Sequence, residues 1–315
     1  MSAATETPAI SSAEHARLTT RAAQLSIGVA TLLIALKAWA WFASASVAML
    51  ASLADSTLDL LASLVTYFAV RYAAAPPDRE HRYGHGKAEA FAGLVQGGLV
   101  ALSAVLIAME AIPHLFRPVV ITHGLESLAV MVISVVTTAG LISYQTMAVR
   151  RTGSVATRAD RLHYVGDLAS NLAVMVGLGL GAFFNIGWAD AVAALLVMAW
   201  LVWGAQHVAR EAADHLLDRE LPDEERARIR TLAENDPRMG HVHELRTRTS
   251  GPYVHIQFHV DLDPALTLED AHKIIVAAED RIRAHFPTAD VIIHPDPRGR
   301  AQPHGHEDFE RARRG

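Results

Sequence analysis

The chain has 315 residues, of which 51% are hydrophobic and 19% charged, with a formal net charge of −5 and no cysteine. That apolar, charge-poor balance excludes a wholly soluble globular protein and, with no basic stripe, a nucleic-acid binder. The missing cysteines exclude disulfides and thiolate ligands, so a bound metal must sit on imidazole and carboxylate, a donor set that suits Zn, Fe or Mn better than Cu(I).

The segment before Arg21 has no apolar stretch behind a basic start, so it is no signal peptide, and residues 1–21 are expected to form a loose, disordered tail. Hydropathy runs follow at 22 to 43, 46 to 72, 88 to 113, 124 to 148, 161 to 184 and 188 to 208. Each is near the ~20 residues that a bilayer-spanning helix needs. The expected architecture is therefore an α-helical membrane protein with six transmembrane helices over 22–210 and a C-terminal soluble domain over 211–297. Residues 298–315, including His304 and His306, read as a second disordered tail.

Lys and Arg concentrate in alternate loops. Arg17 and Arg21 precede helix 1, Arg71, Arg79, Arg82 and Lys87 lie between helices 2 and 3, and Arg150, Arg151 and Arg158 between helices 4 and 5. Arg117 is the one prominent cation on the opposite side. The positive-inside rule then puts both termini and the soluble domain in the cytoplasm, with the helices in the cell's inner membrane.

Helix 2 carries Asp55 and Asp59 within an otherwise apolar run, and an intramembrane carboxylate is costly unless it has a function and a partner. Residues four apart share a helix face, so both carboxylates point the same way. Like charges that close must share a proton or bind a cation. Helix 5 repeats the spacing with His163 and Asp167. Three carboxylates and one imidazole from two helices make a tetrahedral site for a divalent ion. Lys37 in helix 1 reads as a structural lysine that packs into the bundle or pairs, and Glu110 and Asp190 as residues near the outer ends of helices 3 and 6. In the loop after helix 2, Asp78, His81 and His85 are spaced so that all three could reach one ion.

The C-terminal part reads as helix Asp223 to about Asn235, strands near 241 to 248 and 253 to 262, helix Leu268 to His285, and a strand near 289 to 294. This αββαβ order makes a small α+β domain with helices on one face of a sheet. Strand alternation sets His243 against Val242, and His259 against Ile256 and Phe258, so histidines and core residues take opposite faces. His241 and His255 read as additional surface histidines.

The pairing of "DSTLD" with "HYVGD", the loop "HRYGHGKAEA", and "LPDEER", "LRTRTSGP" and "DVIIHPDP" further on resemble the cation diffusion facilitator family, above all its bacterial zinc and ferrous-iron efflux branch. The resemblance spans about Leu25 to Asp296. It implies a homodimer that exports divalent metal in exchange for protons, a secondary active transporter rather than an enzyme, with a metallochaperone-like cytoplasmic domain for metal binding and dimerisation. By resemblance, Asp55, Asp59, His163 and Asp167 form the transport site, and Asp78, His81 and His85 an interfacial loop site. His243, His259, His272, His294 and Asp296 likewise match a two-metal cluster bridged by a carboxylate, and Lys87 and Asp218 a charge interlock. Pro295 departs from the pattern, since close relatives carry an amide side chain there. One imidazole among carboxylates favours Zn2+ and Cd2+ over Mn2+, with Fe2+ also open. The competing readings are a non-transporting membrane metal sensor and an intramembrane metal-dependent hydrolase. The hydrolase reading lacks HExxH and an open coordination position for water.

Overall fold

The computed structural model describes residues 10–44, 47–116, 125–184 and 189–300, which form two compact units, one running to Leu217 and the other carrying most of the chain from Asp218 on. His304, His306 and Arg117 lie outside the described residues, as do the side chains of Glu110 and Asp190.

The first unit is six long helices: α1 (Ser12–Ser44), α2 (Val47–Ala73), α3 (Lys87–Phe116), α4 (Leu125–Thr152), α5 (Val155–Phe184) and α6 (Ala189–Leu216). α1 starts earlier than a loose tail over residues 1–21 allows, because its polar first turns find partners. Ser11 Oγ accepts from the Glu14 N–H at 3.2 Å, and Thr19 Oγ1 donates to the His15 carbonyl at 3.0 Å. His15, Leu18 and Thr19 are all buried.

Among the described residues five helices are long and apolar enough to cross a membrane: α1, α2, α3, α4 and α6. α5 differs. Its first half holds Arg158, Asp160, Arg161 and Asp167, which leaves an uncharged run only after residue 167.

α5 packs against α2, α3, α4 and α6, and its phase is set at its start. α4 stops where Gly153 takes φ +66°, its N–H donating to the Val149 carbonyl at 2.8 Å. Ser154 Oγ then caps α5 by accepting from the Thr157 N–H at 3.3 Å. Gly166 and Gly204 let α5 and α6 approach closely, since a Cβ on Gly166 would lie 2.8 Å from Leu201 Cδ2 and one on Gly204 2.9 Å from Leu162 Cδ1. Polar side chains bind the helices laterally. Ser26 Oγ donates to Asp160 Oδ2 at 2.6 Å, Gln145 Nε2 to the same oxygen at 2.8 Å, and Gln96 Nε2 to the Ala62 carbonyl at 2.8 Å.

The second unit runs α7 (Asp223–Glu234), β1 (Val242–Ser250), β2 (Tyr253–Leu262), α8 (Leu268–His285) and β3 (Ala289–Pro297), the expected αββαβ order. The sheet order is β1-β2-β3, with β2 and β3 parallel and β1 and β2 joined as a hairpin. Ile256, Phe258 and Val260 of β2 and Val291 and Ile293 of β3 face one side, and Ile229, Ala233, Ile274, Ala278 and Ile282 of the two helices close over them. Thr267 Oγ1 accepts from the Asp270 N–H at 3.1 Å and starts α8. Pro295, which cannot donate to a ladder, is accommodated on an edge strand.

Phe258 is 1% exposed at the centre of this core. Phe258→Ala should therefore destabilise the C-terminal unit by about 3–5 kcal/mol, through lost burial plus a residual cavity. Urea unfolding checks this, and a loss under about 1 kcal/mol would mean that the core does not centre there.

Candidate metal centres

The buried positions of α2 include Ser56, Asp59, Ser63, Thr66 and Val70, of which Asp59 and Ser63 meet His163 and Tyr164 of α5. Asp59 and His163 are 6% and 9% exposed, and His163 Nε2 stands 2.9 Å from Asp59 Oδ1 and 3.7 Å from Asp167 Oδ2. A tetrahedral ion with bonds of about 2.1 Å needs ligand atoms about 3.4 Å apart, so these separations bracket the requirement and a slight opening of the Asp59–His163 contact admits an ion. The neighbouring Tyr164 hydroxyl pairs with Ser63 Oγ at 2.9 Å and donates to the Ser26 carbonyl at 3.1 Å, fixing the turn of α5 that presents His163.

Asp55 is not brought into this group. It sits one residue before the buried Ser56 and is exposed in the single chain. Lys37 explains part of its surroundings: its Nζ donates to Ser56 Oγ at 2.6 Å and to the Ser52 carbonyl at 3.2 Å, within Coulombic reach of Asp55. Lys37 thus pairs inside the bundle, in line with the structural role expected of it.

In the loop after α2, Asp78, His81 and His85 do converge. Asp78 Oδ1 accepts from the backbone N–H groups of His81 (2.6 Å) and Glu80 (2.9 Å), which folds the loop around the carboxylate. The backbone N–H of His81 is the main reason the Asp78 carboxyl is held below the usual carboxylate range. His81 Nδ1 lies 3.4 Å from Oδ1 and His85 Nε2 3.3 Å from Oδ2. His85 is buried, with its ring 4.5 Å from that of Tyr72.

In the C-terminal unit, the parallel register opposes His259 to His294 and Asp261 to Asp296, so the two imidazoles and the Asp296 carboxylate share the face away from the core. Asp296 is the hub. Its Oδ2 lies 3.1 Å from His243 Nε2 and 2.9 Å from His259 Nδ1, and its Oδ1 3.4 Å from His294 Nε2. Two oxygens with different imidazole partners are what a bridging carboxylate requires. Burial pushes the Asp296 carboxyl up, but hydrogen bonding from His259 and His243 and the positive charge of His259 and His294 outweigh it and hold the group below its ordinary value.

His272 is not brought in. The core-facing stripe of α8 is Ile274, Ala278 and Ile282, and His272, two residues before Ile274, points out to solvent. Glu244 also borders the cluster, its Oε2 3.8 Å from His259 Nε2. Its signal, an acid directly after His243, was masked by strand alternation, which assigns neighbours to opposite faces.

Two family models match, the cation efflux transmembrane domain over residues 23–217 and the cytoplasmic domain of cation efflux proteins over residues 221–298. The chain belongs to the cation efflux family. These are the membrane cation efflux transporters that the motifs point to. Similar relatives include the cation-efflux pump FieF of Cronobacter sakazakii, 42% identical over 284 residues (90% of this chain, 94% of the relative). FieF of Escherichia coli is 40% identical over 285 residues, with the same coverage. Among solved structures, the Zn form of CzrB is 32% identical and covers 27% of this chain and 99% of its own, with a TM-score of 0.26. The metal-bound C-terminal domain of CzcD from Thermotoga maritima is 23% identical, covers 26% and 100%, and has a TM-score of 0.25.

Of the charge interlock that the resemblance implies, Lys87 lies in the first unit and Asp218 in the second. Lys87 Nζ donates to the Leu216 carbonyl at 3.2 Å, at the end of α6. Asp218, at φ +58°, lies 3.4 Å from Arg248 Nη1.

The depressed Asp296 value carries a pH signature. A carboxyl whose folded value is lowered contributes stability above its unfolded value of about 3.9, and loses it as pH falls through the folded value. Asp296→Asn removes that contribution, so without metal the variant's C-terminal unit should melt earlier than the wild type at neutral pH, and the two should converge below about pH 4. A constant offset down to pH 3 in calorimetry would show that packing, not charge, is lost.

Proposed function

We propose that the chain exports Zn2+, and with lower preference Cd2+, Fe2+ or Mn2+, as a metal/proton antiporter. The observation that carries this reading is the buried Asp59–His163–Asp167 group where α2 meets α5 in an apolar helical bundle. One imidazole among carboxylates supports zinc over a manganese-type all-oxygen preference. In the metal-free state His163 Nε2 and Asp59 Oδ1 share a hydrogen bond, hence a proton, at the place where the ion must go. A divalent ion needs ionised carboxylate and an unprotonated ring nitrogen, so its entry expels what that contact holds. Binding is then an exchange: a site open to the cytoplasm loads metal at near-neutral pH, and the same site open outward meets higher proton activity, releases metal and returns protonated.

The reading extends to a homodimer in the inner membrane with both termini in the cytoplasm, supported by the basic loops after α2 and α4 and by the dimer-type C-terminal domain. Asp55 joins the site as the fourth ligand by a shift of α2 that the metal drives. The loop group of Asp78, His81 and His85 and the cluster of His243, His259, His294 and Asp296 stabilise the folded dimer and modulate flux, with His272 and the Lys87–Asp218 pair completing the assembly.

The test is zinc flux in proteoliposomes with an imposed pH gradient. Flux should rise when the compartment receiving zinc is acidic, and zinc binding in detergent should release protons. Asp59→Ala and His163→Ala should each abolish flux while leaving a folded dimer on size exclusion, and His163→Asp should alter metal preference and the pH dependence together. Near-normal flux in either alanine variant defeats the site assignment. Flux indifferent to the gradient, without proton release, leaves a passive carrier. Vesicles that accumulate no metal at all would favour a sensor, and peptidase activity a hydrolase.

A further inference from the structure

We propose that Glu244 is a positioning residue of the C-terminal metal cluster, its carboxylate accepting the Nε2 hydrogen of His259 and so turning Nδ1 of that ring onto Asp296 and the metal. The inference rests on reading His243, His259 and Asp296 as metal ligands.

It starts from an irregularity in β1. Val242 and Leu245 are both buried, with two residues between them where a regular strand has one. Glu244 accordingly sits at φ +50°, the left-handed region that disfavours a side chain. An extra residue in one strand of a pair is a β-bulge, a device that re-aims side chains beside functional sites. Here it leaves both His243 and Glu244 off the core face. Glycine would adopt that backbone without strain, so the acid is kept against the local conformational preference.

The two central imidazoles use different nitrogens. His243 approaches Asp296 Oδ2 through Nε2 and His259 approaches the same oxygen through Nδ1. Each ring must then dispose of its other nitrogen. His243 Nδ1 lies 3.2 Å from the His241 carbonyl, a backbone acceptor supplied by the residue just before β1. The counterpart for His259 is Glu244: Oε2 is 3.8 Å from Nε2, an ion-pair separation that a small side-chain adjustment closes to a hydrogen bond. The Glu244 side chain is only 9% exposed, and Arg246 Nη2 at 3.7 Å steadies it from the other side. Because Glu244 stands at the far edge of the ring from Asp296, it orients the ligand instead of joining the ligand set. An outer carboxylate of this kind fixes the tautomer of a metal-bound histidine, and its loss typically costs 10–100-fold in affinity.

The experiment uses the full chain in detergent, carrying Asp59→Ala and His85→Ala so that zinc reports the C-terminal cluster. Glu244→Gly keeps the left-handed backbone and removes the carboxylate, and Glu244→Gln keeps an oxygen acceptor. Three quantities are read: metal-free melting temperature, zinc affinity by chelator competition, and the His259 tautomer by long-range proton–nitrogen NMR, assigned by its loss in His259→Gln. Glu244→Gly is expected to melt no earlier than the parent without metal, yet to bind zinc 10–100-fold more weakly, with His259 in mixed tautomers. Glu244→Gln should recover most of the affinity and the single Nε2–H tautomer. Zinc binding by Glu244→Gly within twofold of the parent, or a zinc-loaded parent whose His259 is protonated on Nδ1, overturns the proposal. If His243→Ala also binds zinc like the parent, the ligand reading beneath it falls as well.

Discussion

The contact between Asp59 and His163 organises the helical unit. A carboxylate and an imidazole, each less than a tenth exposed inside an apolar bundle, satisfy one another there, with Asp167 at 3.7 Å as the imidazole's second acidic neighbour. Holding them at 2.9 Å requires that α2 and α5 meet at one height and one rotation. The left-handed Gly153 and the Ser154 cap set where α5 begins, the Tyr164 hydroxyl ties its next turn to α1 and α2, and the small residues Gly166 and Gly204 bring α6 against its back.

The C-terminal unit solves a related problem with strands. A carboxylate, Asp296, gathers imidazoles from all three strands, and the register between β2 and β3 brings them together. Shifting that register by one residue would turn His294 and Asp296 into the core and Ile293 out of it. The apolar face therefore protects the histidine-bearing face: Ile256, Phe258, Val291 and Ile293 anchor the pairing, and the histidines inherit their places from it.

The helices and the order of strands were legible because hydropathy and periodicity are local. β2 at Tyr253–Leu262 and α8 at Leu268–His285 fall where the pattern places them. The four-residue spacings were legible for the same reason. What escaped is of two kinds. His272 could have been excluded from the single-chain cluster, since at about 100° per residue it points some 200° away from Ile274 on the core stripe of α8. The distance of Asp55 from His163 and Asp167 could not be read, because it depends on how α2 rotates against α5, a tertiary fact. The start of α1 was hidden by composition: Ser11, His15 and Thr19 look like tail residues until each is seen to have a partner. Glu244 escaped because a bulge is a break in the very period used to assign faces.

Polar side chains within the helical unit divide into two sets with different consequences for movement. Ser26, Gln145 and Asp160 form a hydrogen-bonded knot among α1, α4 and α5, buried so completely that parting these helices would strand several more polar atoms in an apolar medium. Asp59 and His163 join α2 to α5 through a contact that a cation can replace without any such loss, because the ion satisfies both groups at once. A bundle built this way resists rearrangement at the knot. With Asp59 and His163 as ligands, as proposed, an ion would act at a contact whose opening it compensates itself, which would let its binding bias the conformation of the bundle.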